Sequence, residues 1–150
     1  MSVSERWVIR PDAAGMDRLH DLLDTFWSRL GEVRVADADR ARIDGFTLAL
    51  GEVVANIARH AYRETAPERR WIAIRLSATA TRVRAEMEDA GLPFEGSLDD
   101  SDGDDPADPM ALLEHGRGLQ LIRQAVDTVT YDRTADGRNR WVLEQRLAER

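Results

Sequence analysis

Glu52 and Asn56 stand four residues apart in "GEVVANIARHAY" (51–62), inside a markedly apolar stretch. Four residues carry an α-helix about 40° past one full turn, so the two side chains share one side of it. An asparagine oxygen is a hard ligand suited to Mg²⁺, which keeps several waters and joins protein to phosphate groups. A nearby glutamate can take the proton of a hydroxyl or a water that attacks phosphorus. An ordinary polar pair on a solvated helix edge would have the same spacing.

Two further clusters carry chemistry only in combination with the first. "EDAGLPF" (88–94) ends an alternating run, with Asp89, Gly91 and Pro93 forming a tight strand-to-loop exit. A carboxylate at the mouth of a cleft accepts from an exocyclic amine such as that of adenine and repels the oxygen of guanine; a plain turn is the alternative. "HGRGLQLI" (115–122) closes a long loop and opens a helix, with Gly116 and Gly118 flanking Arg117 and Leu119 following. Glycines there let backbone N–H groups approach phosphate oxygens, which the helix dipole favours. No Gly-Lys-Ser/Thr follows, and no strand immediately precedes in a βαβ unit, so neither a Walker A loop nor a dinucleotide fingerprint is present.

The elements that must position these clusters follow from periodicity. "RWVIRP" (6–11) predicts a short strand. Asp12 caps a helix to about Leu30 with Met16, Leu19, Leu23, Phe26 and Leu30 on one stripe. A second helix from Asp37 or Asp39 to about Tyr62 buries Ile43, Phe46, Leu50, Val53, Val54, Ile57 and Ala61. "RRWIAIRLSAT" and "TRVRAEMEDA" predict a hairpin breaking at 78–81. A loop over about 92–115 follows, then a helix from Gly116–Leu119, "TVTYDRT", a turn at "ADGRN" and a last strand "RWVLEQRL". The order β-α-α-β-β-loop-α-β-β implies a two-layer α/β sandwich, its mixed, mostly antiparallel sheet covered on one face by about three helices.

One domain over residues 1–150 is the expectation, since no repeat or linker divides the 150 residues. The net charge of −7 argues against a generic nucleic-acid binder. The segment from Glu95 to Glu114 carries eight acidic residues and no Lys or Arg, and is expected to be solvated. No apolar run is long enough to span a bilayer, no signal-peptide core opens the chain, and there is no cysteine, so a cytoplasmic location is expected. Trp7, Trp27, Trp71 and Trp141 are expected as core or interface anchors. "DDSDGDD" lacks the glycine and glutamate spacing of an EF-hand.

Taken together and in this order, the clusters resemble the GHKL (Bergerat-fold) ATPase/kinase superfamily: "ALGEVVANIARHAY" its N box, "EDAGLPF" its Asp-x-Gly box, "HGRGLQLI" its second glycine box. Within it the chain is similar to bacterial anti-sigma-factor serine kinases through Glu52, Asn56, His60, Ala61 and Tyr62, then Asp89, Gly91, Pro93 and Phe94, then Gly116, Gly118, Leu119, Leu121 and Ile122. The resemblance implies a Bergerat-type sandwich with an ATP lid over about 92–115, and ATP and Mg²⁺ as cofactors. It implies Glu52 as general base, Asn56 as Mg²⁺ ligand, Asp89 as adenine reader and Gly91 as the place where adenine meets the backbone. Gly116, Gly118 and adjoining N–H groups would hold phosphates, with Arg117 adding a cation.

The implied activity is serine/threonine phosphorylation of a small STAS-type anti-sigma-factor antagonist, by a kinase that also sequesters a sigma factor and is expected as a homodimer. Leu92 stands where a second glycine is common, and "GRNR" (137–140) replaces a Gly-Thr pair that would support the adenine pocket. These departures, with the acidic lid, support an alternative: a non-catalytic, nucleotide-sensing anti-sigma or regulatory binding module. A histidine-kinase catalytic domain is a third reading, opposed by the short lid and the lack of a dimerisation segment. His60 is expected in a structural role within the N-box tail, and Arg59 either reaches phosphate or a partner or is a solvated edge residue.

Overall fold

A computed structural model describes residues 2–31, 37–95 and 117–148. The long loop, from residue 96 onward, and Gly116 lie outside the described residues.

Strand β1 covers Ser2–Ile9, helix α1 Ala13–Gly31 and helix α2 Asp37–Asn56. A π-helical turn, Ile57–Ala61, continues α2, and a 3-10 turn occupies Pro67–Arg69. Strands β2 (Ile72–Thr79) and β3 (Arg82–Asp89) form a hairpin; helix α3 (Arg117–Ala125) precedes a second hairpin of β4 (Thr128–Arg133) and β5 (Asn139–Arg146). The first strand begins four residues earlier than its alternation suggested. Ser2–Glu5 pair with Thr79–Leu76, so ladder bonds hold a segment whose own pattern is weak.

The five strands lie in the order β1-β2-β3-β5-β4, and every neighbouring pair is antiparallel. Alternation sends Ile72, Ile74, Leu76 and Ala78 of β2, Val83, Ala85 and Met87 of β3, and Trp141 and Leu143 of β5 into the core beneath the helices. Asp12 caps α1 as expected, its Oδ1 accepting from Gly15 N at 2.7 Å. The stripes of α1 (Leu19, Leu23, Phe26, Leu30) and α2 (Ile43, Phe46, Leu50, Val53, Val54) are buried, each large side chain worth about 1.5–3 kcal/mol. Edge-to-face contacts run Trp7–Phe26–Trp27–Phe46, which makes two of the tryptophans core anchors. Asp39, buried early in α2, accepts from Ala148 N at 2.8 Å and ties the chain beyond β5 to the helix layer. Among the described residues no helix is long and apolar enough to cross a membrane.

Candidate functional site

β3 is the middle strand and ends at Asp89, whose phase is that of buried Met87, Ala85 and Val83. The sheet's alternation therefore carries a carboxylate onto the helix-covered face, where the residue is 0% exposed. Directly across the ladder stands Asn139, the first residue of β5, 1% exposed and in phase with Trp141 and Leu143.

The two side chains join. Asp89 Oδ1 accepts from Asn139 Nδ2 at 2.8 Å and from Gly91 N at 2.9 Å. Asp89 Oδ2 is buried with no hydrogen-bond partner among the described residues. Burial pushes the carboxyl above its ordinary range; the bonds from Asn139 and Gly91 and the charge of Arg133 pull in the opposite direction without cancelling it. An ionised carboxylate oxygen left bare in the interior is costly, and a donor brought by a ligand would relieve it.

The end of the N-box helix is fastened to this turn. Tyr62, fully buried, donates its hydroxyl to Trp71 O and accepts from Ala90 N at 2.9 Å. Leu92 N donates to Ala61 O at 2.7 Å. The π-helical turn and its capping residue Tyr62 therefore deliver one carbonyl and one hydroxyl to the exit of β3, where a sequence reading had continued an α-helix to Tyr62. Gly91 is required by the same junction: a Cβ there would lie 2.3 Å from Ala61 O. The glycine thus permits a close approach of the chain's own backbone at Ala61.

Glu52 and Asn56 are both half-buried on α2, beside buried Val53 and Val54. No hydrogen bond or ion pair joins Glu52 to another described residue, whereas Asn56 Oδ1 accepts from Arg59 Nη2 at 3.0 Å. Helix α3 packs on α2. Its first turn holds Arg117, Gly118 and half-buried Leu119, and its buried residue Ile122 enters the core. Pro93 is exposed. The structure thus stitches the N-box helix to the Asp89 turn and sets α3 beside that helix.

Sequence reasoning missed Asn139. It treated "GRNR" as the loss of a supporting threonine, yet the asparagine in it donates to the Asp89 carboxylate. A polar residue in the buried phase of "NRWVLEQR" was the available signal. Tyr131 and Phe94 were also missed as neighbours: Tyr131 Oη accepts from Phe94 N at 2.9 Å, and both rings pack on Trp141 at 4.9 and 5.0 Å between centroids.

The unpartnered Oδ2 of Asp89 fits the exocyclic amine of an adenine nucleotide. A magnesium ion would find one hard oxygen at Asn56, with phosphate and water completing its shell, once Arg59 turned away. No group of three or more His, Cys, Asp or Glu residues among the described residues could hold a metal unaided. A separate groove of about 490 Å³ lies between β1, α1 and the segment before β2; Arg10, Arg18, Arg69 and Arg70 line it, and none of the candidate residues does.

A family model described as a histidine kinase-like ATPase domain matches residues 18–143. A crystal structure of the RsbU and RsbW domains of Rv1364c from Mycobacterium tuberculosis aligns with 99% of the chain at TM-score 0.61 and 18% identity, which shows a shared fold. The chain spans 33% of that structure's length. A histidine kinase domain from the Erythrobacter litoralis EL346 blue-light activated histidine kinase aligns over 71% of this chain and 45% of its own, at TM-score 0.48 and 18% identity. No curated protein matches the chain.

Proposed function

The chain belongs to the histidine kinase-like ATPase domain family, and from that premise we propose that it is an ATP-dependent serine/threonine protein kinase and anti-sigma factor. Its substrate is a small STAS-type antagonist protein, and its second partner is a sigma factor. The observation that carries the nucleotide half of this reading is the buried Asp89 carboxylate with one saturated and one bare oxygen. A neighbouring fold that contains an RsbW domain supports the regulatory half.

In this reading Asp89 Oδ2 accepts from the adenine amine, and the first turn of α3 (Arg117, Gly118, Leu119), with Gly116 before it, offers N–H groups and a cation to the phosphates. Asn56 contributes an oxygen to Mg²⁺, whose chemistry when bound is to neutralise charge on the transferring phosphoryl group. Glu52, without a partner among the described residues, orients the acceptor hydroxyl and receives its proton. The single domain, a lid over about 92–115, a homodimer and a cytoplasmic location complete the proposal.

Incubation with γ-labelled ATP, Mg²⁺ and a candidate antagonist tests it. Serine or threonine phosphate that disappears in Glu52→Gln is the expected result, and its absence with every antagonist tried counts against catalysis. The bond between Arg59 and Asn56 supports a second reading, a nucleotide-sensing binding module without turnover, because a cationic side chain must be displaced before a metal can use that oxygen. Calorimetric binding of ATP·Mg²⁺ with no labelled product would select it.

A further inference from the structure

The side-chain amide of Asn139 is used completely. Its Nδ2 donates to Asp89 Oδ1 at 2.8 Å and to Leu92 O at 2.8 Å, with Gly91 O at 3.3 Å sharing the second hydrogen. Its Oδ1 accepts from Tyr131 Oη at 2.6 Å and from Arg133 Nη1 at 2.8 Å. The orientation admits no exchange of oxygen and nitrogen, because carbonyls can only accept and a guanidinium can only donate. The amide is therefore a one-way link, receiving charge-assisted donors from edge strand β4 and presenting N–H groups to the carboxylate and the turn after β3.

We propose that Asn139, gripped by Arg133 and Tyr131, is a specificity-determining positioning residue. It saturates one oxygen of Asp89 and leaves the other as the single acceptor that chooses an amine-bearing purine. The inference rests on the nucleotide reading above and adds to it the reason for the choice. Burial favours the neutral form of Asp89, and a neutral carboxyl could donate to a 6-oxo purine as well as accept from an amine. Donors on Oδ1 favour the ionised form and stop the carboxylate from turning, so that Oδ2 repels an oxygen and binds an amine. The same amide holds the carbonyls of Gly91 and Leu92, which fixes the turn relative to the carboxylate. Asn139 touches no nucleotide atom in this account. It acts through Asp89.

The test is calorimetric affinity for ADP and for inosine diphosphate, which carries oxygen in place of the exocyclic amine, on the full chain. Wild type is expected to prefer ADP. Asn139→Leu, of similar size but without donors, is expected to lower the ADP-to-IDP preference about tenfold, the scale of a lost bond to a charged group. Arg133 is exposed on the edge strand, so Arg133→Met spares the fold; it is expected to lower the preference roughly threefold by weakening the polarisation of the amide. Arg133→Lys, which keeps a charged donor, should restore it.

A preference unchanged in whichever of the first two variants folds overturns the proposal, as does equal weakening of both nucleotides, the mark of a merely structural role. Wild type that binds ADP and IDP equally also overturns it while leaving nucleotide binding in place. Wild type that binds neither overturns the nucleotide reading and this inference with it.

Discussion

Arg59 Nη2 donates to Asn56 Oδ1 at 3.0 Å, three residues along the same helical segment. The oxygen proposed for magnesium thus has a cationic partner, and a bound metal would compete with it. An exposed hydrogen bond of this kind is worth about 0–1 kcal/mol, enough to tune metal loading without preventing it.

Arg59→Met should therefore lower the Mg²⁺ concentration that half-saturates ADP binding by about two- to fivefold. Titrating Mg²⁺ at fixed ADP in both proteins checks this. A higher requirement in the variant would mean that Arg59 helps to bind the complex and does not compete with the metal.

Glu52→Gln keeps the shape of the side chain and removes its basicity. Transfer to an acceptor serine should fall by about 10²–10⁴-fold, with ADP affinity within about twofold of wild type. Single-turnover transfer and calorimetry on the same preparations separate the two quantities. A parallel loss of affinity would place Glu52 in binding.

Asp89 gives a stability prediction whose sign follows from burial. Its carboxyl lies above the ordinary range in the folded protein, so the native state holds this proton more tightly than the unfolded chain does. The resulting stability is fully present below the unfolded value, about 3.9, and is lost as pH rises through the higher folded value. Asp89→Asn imitates the protonated form. Its melting temperature at pH 7 should exceed that of wild type by about 2–4 °C, and the gap should close near pH 4. Its ADP affinity should nonetheless fall about 100-fold, since an amide nitrogen or a poorer acceptor would stand where the carboxylate oxygen was. Melting curves at the two pH values and an ADP titration decide both parts.

Gly91→Ala would set a methyl group 2.3 Å from the carbonyl oxygen of Ala61, so the junction between the π-helical turn and the exit of β3 must open. A loss of about 1–3 kcal/mol is expected, read as a fall in the denaturation midpoint. An unchanged midpoint would show that the junction yields freely.

Much of this fold was legible because its signals are local. Asp12 caps α1, the apolar stripes of α1 and α2 are the buried ones, and both hairpins break where alternation breaks. The family motifs placed Glu52, Asn56 and Asp89 in one reading, and the bonds from Leu92 N to Ala61 O and from Ala90 N to the Tyr62 hydroxyl show how two of those motifs meet. The π-helical turn was not legible, since the apolar spacing through Ile57 and Ala61 also suits an α-helix and the widening answers to contacts across the fold. Asn139 was hidden for a related reason. Its polar side chain in a buried phase is visible along the chain, but its meaning depends on a register that sets it opposite Asp89, fifty residues earlier.

Because β3 is the middle strand, its amides are shielded by a neighbour on each flank, while among the described residues β1 and β4 each have an unpaired side. Hydrogen–deuterium exchange should accordingly be slowest along Val83–Met87 and fastest at the two outer strands. The carboxylate proposed to choose the purine would then hang from the segment that opens least, and the residues that grip its amide partner from β4 would belong to one that frays first.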